Sequence, residues 1–281
     1  MEADKIKSHA KLNLALNITG KNSSLHEIET VIVFVYLHDE IFIEKINSNK
    51  HKISFTGKFS KNIGKNNTVS KLLNVLDEKK LLNNKKFKVR IKKKIPSKAG
   101  LGGGSMNASN ILNYFLKKNI IKISKKEVIK ISKLVGSDVL LGLNPTSSVL
   151  MSNNKIKRFY NCKKFYSLIV KPNFGCSTRE IYSKVKKFNK PKFNNPSLNM
   201  FNFDYLKKMD NSLEPIALSK YSKLREIKSF LENLSKPSLV RMTGSGSALV
   251  AYFQSKYRCE IAKKMFHKKY KNYWCILSKT I

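Results

Sequence analysis

The amino-acid sequence predicts an α+β protein with two domains. Up to Lys92 the chain is dominated by alternating apolar and polar residues, which indicate strands. Two helix-like stretches follow a glycine-rich segment, and from Lys163 onward strands and helices are mixed. Because the pattern changes near this point, we expect one domain over residues 1–161 and a second over residues 162–281.

The elements of the first domain are predicted from the period of their apolar residues. Strands are expected where apolar and polar side chains alternate along the chain. A helix is expected where the capping box of Ser124 with Glu127 precedes an apolar stretch that Gly136 ends. The predicted strands are 10–18, 31–36, 40–45 and 87–92, and the predicted helices are 69–76, 107–116 and 124–135.

The second domain mixes both kinds of element and shows no internal repeat. A second capping box, Ser177 with Glu180, predicts a helix start after a short strand. Two apolar strands are expected on either side of a glycine turn. The predicted order is strand 166–170, the capped helix, helical stretches within 204–234, strands within 238–253, helix 259–269 and strand 273–277.

The chain is strongly basic. It has 56 Lys and Arg residues against 18 Asp and Glu residues, a net charge of +38, which would attract nucleic acid or an anionic membrane. The lysines are spread over the whole length, and neither zinc-finger spacing nor an RNA-binding aromatic signature accompanies them. We therefore do not expect nucleic acid to be the main partner, although the same charge favours small phosphorylated substrates.

No pattern in the sequence predicts secretion, membrane insertion or a zinc site. No apolar run approaches the ~18 residues of a membrane-spanning helix, and the start MEADKIKSHA lacks the apolar core of a signal peptide. The four cysteines and five histidines are dispersed, without a C-x-x-C pair. We expect a soluble cytoplasmic protein with free thiols.

The glycine-rich segment over residues 96–108, PSKAGLGGGSMNA, lies between a basic strand and an apolar helix. Glycines let backbone N–H groups converge on an anion, and the amino end of a helix adds positive potential. The segment lacks the Gly-Lys-Ser/Thr ending of a Walker A loop and the spacing of a dinucleotide fingerprint. A phosphate-binding loop and an ordinary flexible connector both remain open on these residues alone.

Three other features could take part in chemistry with this loop. A second glycine turn, TGSGS over residues 243–247, lies between two apolar strands and could equally be a plain hairpin turn. Asp138, in GSDVLLGL, is the best candidate for a general base in a chain with few acids, although it could be a surface or cap residue. Lys11, on the polar face of the first strand, could neutralise charge or could simply be solvated.

Four segments, taken in order and spacing, resemble the signature motifs of the GHMP kinase superfamily. They are SHAKLNLALNITG, PSKAGLGGGSMNAS, GSDV and RMTGSGSALV, so the resemblance covers nearly the whole chain. The resemblance implies a two-domain fold, with an amino-terminal domain like domain 2 of ribosomal protein S5 and a ferredoxin-like carboxyl-terminal domain. The segments LHEIET and Leu37-His38-Asp39 are similar to the corresponding segments of one branch of this superfamily. Enzymes of that branch phosphorylate a methylerythritol hydroxyl on a cytidine diphosphate compound.

The resemblance also implies roles for individual residues. Asp138 would take the hydroxyl proton, and Lys11 would orient Asp138 and stabilise charge during transfer from ATP, with Mg²⁺ as the cofactor. The magnesium ligands are not identified, and Ser105 is one candidate. The ATP contacts would be Asn67, Lys93, Pro96, Ser97, Lys98, Ala99, Gly100, Leu101, Gly102, Gly103, Gly104, Ser105 and Met106, and the substrate contacts Asn13, His26, Thr178, Tyr182, Gly244, Ser245 and Gly246.

The chain departs from the superfamily pattern at several positions. Leu25 stands where a tyrosine is expected, which removes an aromatic ring that could stack on cytosine. Met106 replaces a serine, Leu140 replaces a proline, and residues 151–155 replace a glycine-rich stretch. A homoserine or mevalonate kinase, a relative that only binds, and a basic nucleic-acid-binding protein remain alternatives, as does a monomer or a homodimer.

Overall fold

A computed structural model describes residues 3–22, 25–61 and 63–281. The described chain forms two compact units, each assembled from three separate stretches. Unit 1 comprises the described residues of Met1–Ala10, Leu37–Ser97 and Gly102–Pro145, and unit 2 comprises those of Lys11–Tyr36, Lys98–Leu101 and Thr146–Ile281. The boundary between residues 161 and 162 stays a prediction. Ser24, beside LHEIET, lies outside the described residues.

Two long strands, β1 (Asp4–Lys21) and β2 (His26–Ile46), pair with each other and contribute residues to both units. In unit 1 the later part of β2 pairs antiparallel with β4, and β3 pairs parallel with β4. Helices whose apolar faces share one core with β4 complete this unit. Its remaining elements are β3 (Lys52–Thr56), α1 (Thr68–Glu78), β4 (Lys86–Lys92), α2 (Gly103–Lys117), α3 (Lys125–Val135) and α4 (Val139–Gly142).

Unit 2 contains a four-stranded antiparallel sheet with the order β10-β7-β9-β8. Helices α8 and α9 share its main core, while β5 pairs with the first part of β2 and with β6. Its elements are β5 (Ser147–Leu150), β6 (Ile156–Phe159), β7 (Tyr166–Lys171), α5 (Thr178–Ser183), a 3₁₀ helix (Leu198–Phe201), α6 (Phe203–Leu206), α7 (Glu214–Lys220), α8 (Ser222–Glu232), β8 (Leu239–Met242), β9 (Leu249–Phe253), α9 (Lys256–Lys269) and β10 (Trp274–Lys279).

The α+β fold class is confirmed, and most predicted elements lie where the sequence placed them. Two expectations were wrong. The strands predicted over 31–36 and 40–45 are parts of the single strand β2. Helix α2 begins at Gly103, not at residue 107, because Gly102 adopts φ +69° and already turns the chain into the helix. Within the described residues, no helix is long and apolar enough to cross a membrane.

Candidate active site

In unit 2, the polar face of β1 is buried. Lys11 is only 5% exposed, so the alternative that it is simply a solvated lysine is wrong. Its Nζ donates a hydrogen bond to Oδ1 of Asn13 at 2.6 Å. The Asn13 Nδ2 donates in turn to Oγ1 of Thr30 at 2.9 Å, and that hydroxyl donates to the carbonyl of Ala15 at 2.6 Å. Asn13 is therefore fixed by its neighbours, and it holds the Lys11 ammonium in place.

The tip of the first glycine segment lies against the second glycine turn in unit 2. The Ser247 N–H donates to the carbonyl of Lys98, and the Thr243 hydroxyl donates to the carbonyl of Gly100, both at 3.2 Å. Gly100 has φ +73°, and a Cβ at this position would lie 1.9 Å from the Thr243 carbonyl oxygen. Only glycine permits this close approach.

Thr243 and Lys11 join these two glycine segments to β1. The backbone N–H of Asn13 donates to Oγ1 of Thr243 at 3.0 Å. The backbone N–H of Lys11 donates to the carbonyl of Leu101 at 3.2 Å. One hydrogen-bonded assembly within unit 2 therefore contains Lys11 and Asn13 of β1, residues 98–101 of the first glycine segment, and residues 243–247 of the second glycine turn.

Three buried polar residues around this turn were missed by the sequence interpretation. The Asn211 Nδ2 donates to the carbonyls of Met242 and Gly244, each at 2.8 Å. The Glu214 Oε2 accepts the N–H of Met242 at 2.9 Å, and Arg241 donates to the carbonyl of Leu14 at 2.6 Å. Since their partners are distant in the chain, no local pattern marks these residues as supports of the turn.

A second group in unit 2 contains most of the predicted substrate contacts. The ring of His26 lies 5.1 Å from that of Tyr182, centroid to centroid. Burial, with Lys21 as the smaller cause, holds the pKa of His26 below its usual value of 6.5, so the neutral ring can both donate and accept hydrogen bonds near neutral pH. The Thr178 and Ser245 hydroxyls lie 2.9 Å apart, which joins α5 to the second glycine turn.

In unit 1, the chain between β4 and the glycine segment is held by Asp39. This carboxylate is wholly buried and forms an ion pair with the Lys93 ammonium. It also accepts the backbone N–H groups of Lys94 and Ile95 at 2.7 and 2.9 Å, and Nδ2 of Asn107, in α2, at 3.0 Å. Asp39 therefore fixes the chain directly before the glycine segment and, through Asn107, near the end of that segment. Buried Pro96 and exposed Ser97 follow Ile95.

At the amino end of α2, glycines allow the helix backbone to lie close to neighbouring side chains. Gly102 occupies the N-cap position, and no side chain caps the helix there. A Cβ at Gly103 would lie 3.3 Å from the Lys93 Nζ, and one at Gly104 would lie 2.9 Å from the Thr68 Oγ1. The uncapped N–H groups of this first turn are suited to an anion.

Four further predicted residues lie at or near helix starts in unit 1. Asp138 is the N-cap residue of α4. A Cβ at Gly136 would lie 3.7 Å from the Ser105 Oγ, which places this hydroxyl beside the turn that leads to Asp138. Asn67 caps α1, and its Oδ1 accepts two backbone N–H groups. Met106 is buried in the first turns of α2.

Comparison with known proteins assigns the family. The chain is 56% identical over 281 residues to the 4-diphosphocytidyl-2-C-methyl-D-erythritol kinase of Pelagibacter ubique (strain HTCC1062), with all of both chains covered. The chain belongs to the 4-diphosphocytidyl-2-C-methyl-D-erythritol kinase family. The kinase of that name from Persephonella marina is 35% identical over 92% of this chain and 93% of its own. Residues 67–148 match the GHMP kinases N terminal domain.

Solved structures show the same fold. A crystal structure of 4-(cytidine 5'-diphospho)-2C-methyl-D-erythritol kinase superposes with a TM-score of 0.77 at 20% identity, covering 99% of this chain and 100% of its own. Homoserine kinase from Cytophaga hutchinsonii gives a TM-score of 0.72 at 14% identity, covering 100% of this chain and 95% of its own. The GHMP kinase fold is therefore confirmed.

Proposed function

We propose that this protein transfers the γ-phosphate of ATP to the 2-hydroxyl of 4-diphosphocytidyl-2-C-methyl-D-erythritol, in the non-mevalonate pathway to isoprenoid precursors. The observation that carries this proposal is the 56% identity to the Pelagibacter ubique kinase over the full length of both chains. The buried Lys11 and the paired glycine turns of unit 2 are consistent with phosphoryl transfer, in which positioning and charge stabilisation dominate.

Asp138 is the proposed general base, and Lys11 the residue that orients it and stabilises charge. A carboxylate can accept the proton of the attacking hydroxyl in the transition state. Lys11 suits its role because its ammonium is buried and is held by Asn13. A buried cation in a fixed position stabilises developing negative charge better than a solvated one.

The glycine segment is the proposed site of the ATP phosphates. Its residues 96–106 include the uncapped amino end of α2, whose N–H groups suit an anion. Lys93 and Asn67 are the proposed adenosine contacts. The Lys93 ammonium pairs with Asp39, and the Asn67 Oδ1 caps α1.

Magnesium would neutralise charge on the transferring phosphate. Mg²⁺ usually keeps several waters and takes one or two protein oxygens besides phosphate oxygens. The Ser105 hydroxyl, beside the turn that leads to Asp138, supplies an oxygen of the required kind. No group of three His, Cys, Asp or Glu residues suited to a metal occurs in the described part of the chain. Ser105 is therefore the proposed protein ligand, with ATP supplying others.

The remaining predicted residues are proposed to bind the cytidine compound. Neutral His26 and the neighbouring Tyr182 ring would contact the cytosine. Asn13 and Thr178 would bind polar groups of the substrate. Gly244, Ser245 and Gly246 would close over the phosphates, since their turn already lies against Gly100 and is supported by Asn211.

An assay of ADP release tests this function directly. Purified protein with magnesium, ATP and 4-diphosphocytidyl-2-C-methyl-D-erythritol is expected to turn over. Asp138→Ala should lower kcat by about 100- to 10,000-fold, the usual contribution of a general base. Asp204→Ala, whose side chain is 96% exposed, is the matched control and should behave as wild type.

The same assay separates the alternatives. Turnover with homoserine or mevalonate, but not with the cytidine compound, would overturn the proposed substrate. A full kcat for Asp138→Ala would instead overturn only the assignment of the base. Nucleic-acid binding would be recognised by an affinity that falls steeply with salt. Residence in the cytoplasm and assembly as a monomer or homodimer stay predictions.

A further inference from the structure

The segment after α5 presents an aromatic ring that the proposed function does not use. Phe188 lies in the irregular stretch over residues 184–196 and is 48% exposed. Its ring centroid lies 6.3 Å from that of His26, which in turn lies beside Tyr182. Three aromatic rings are thus grouped in unit 2, and each of them retains some exposure to solvent.

The stretch that carries Phe188 is fixed to β1 although it has no regular secondary structure. The backbone N–H of the next residue, Asn189, donates to the carbonyl of Ile18 at 2.8 Å. The Asn189 Nδ2 donates to Oδ1 of Asn17, also at 2.8 Å, and the Asn17 Nδ2 donates to the carbonyl of Lys190 at 3.1 Å. Phe188 is therefore placed by hydrogen bonds on the residues directly after it.

A second anchor lies further along the same stretch. The carboxylate of Glu29, wholly buried on β2, accepts the backbone N–H groups of Lys192 at 2.5 Å and of Phe193 at 3.0 Å. It also accepts Nδ2 of Asn17 at 2.7 Å. Both ends of the 189–193 stretch are thus bound to the strand pair that carries His26. The position of the Phe188 ring relative to His26 is set by the fold.

The residue before His26 offers no comparable surface. Leu25 is 68% exposed and aliphatic, so it cannot stack on a nucleobase. Aromatic rings stack on the face of any base, and such stacking contributes measurably to nucleotide binding. We propose that Phe188 supplies a stacking face for the cytosine of the substrate, beside His26 and Tyr182. This inference rests on the proposed function and adds a residue that determines its substrate affinity.

Phe188→Leu tests the inference because it keeps an apolar side chain and removes the ring. The KM for the cytidine substrate should rise about fivefold or more, the weaker end of the range for base stacking. The kcat and the KM for ATP should stay unchanged. Phe188→Tyr, which retains the ring, should keep the wild-type KM, and Tyr257→Leu, at a 70% exposed position of α9, is the control.

Several outcomes would overturn the inference without touching the proposed function. One is a KM for the cytidine substrate within twofold of wild type in Phe188→Leu, and another is an equal rise in Phe188→Tyr. A rise confined to the KM for ATP would also do so. Absence of turnover in the wild type would instead overturn the proposed function, and CDP binding to wild type and Phe188→Leu, measured by calorimetry, would then decide the inference.

Discussion

Two wholly buried carboxylates on the same strand, β2, hold irregular segments in the two units. In unit 1, Asp39 holds the entrance of the glycine segment and pairs with the Lys93 ammonium. In unit 2, Glu29 holds the stretch beside the candidate cytidine contacts and accepts N–H groups of neutral amides. Both carboxylates therefore anchor an irregular segment, but Asp39 is paired with a cation whereas Glu29 is bound by neutral donors.

Because only Asp39 is paired with a cation, removing the Asp39 carboxylate should destabilise the protein more than removing the Glu29 carboxylate. Removing one member of a buried ion pair leaves a charge without compensation, which destabilises more than the pair itself stabilises. Removing a carboxylate that accepts only amide donors leaves unsatisfied N–H groups but no unpaired charge. The chain has only 18 acidic residues, and each of the two discussed here accepts two backbone N–H groups.

The largest effect is expected for Asp39→Ala. The free energy of unfolding should fall by about 3–5 kcal/mol, because Lys93 becomes a buried unpaired cation. Urea denaturation measures this change. The double variant with Lys93→Met should recover part of the loss, because it removes the charge as well. A loss near the ~0.5 kcal/mol of an ordinary surface substitution would contradict the comparison, and Asp204→Ala provides that reference.

A smaller loss is expected for Glu29→Gln. The amide has one acceptor oxygen where the carboxylate has two, so the free energy of unfolding should fall by about 1–3 kcal/mol. Hydrogen exchange at the N–H groups of Lys192 and Phe193 should become faster, since both donate to Glu29. If exchange there stays at the wild-type rate, Glu29 does not anchor this stretch. A stability loss equal to that of Asp39→Ala would remove the distinction between the two sites.

The smallest effect is expected from a change of pH on substrate binding, and it should arise in unit 2, from His26. The pKa of His26 lies below 6.5 because the ring is partly buried and lies near Lys21. The neutral ring therefore predominates at pH 7, and protonation as pH falls through this lowered pKa removes its hydrogen-bond acceptor. The KM for the cytidine substrate should rise by a few-fold as the pH falls below 6.5 and through this lowered pKa. His26→Gln should abolish this rise, and an unchanged profile would exclude His26 as its source.

Local patterns predicted those parts of the fold that depend on near neighbours. Helix α3 has its N-cap at Ser124 and its C-cap at Gly136 as expected, because caps act within a single turn. Strand β4 follows its period of two. The sequence missed β3, β5 and β6, which are short. It also divided β2 in two, because the polar residues His38 and Asp39 interrupt the apolar pattern between the two predicted strands.

The candidate site was predicted as a set of residues but not as a set of contacts. The motifs indicated Lys11, Gly100 and Thr243, yet nothing in the sequence showed that the last two lie in contact. The supports were harder to find, because Asp39 and Glu29 bind groups far along the chain. A buried carboxylate and a solvated one look alike in sequence, since only distant partners distinguish them.

The interleaving of the chain between the two units has a consequence for the order of synthesis. Unit 1 ends at Pro145, so all of its described residues are synthesised before the sheet strands β7–β10 of unit 2. Residues 11–36, made early, belong to the unit that is completed last. We expect unit 1 to gain its core first during translation, while the strand segments that carry Lys11 and His26 wait for the carboxyl terminus.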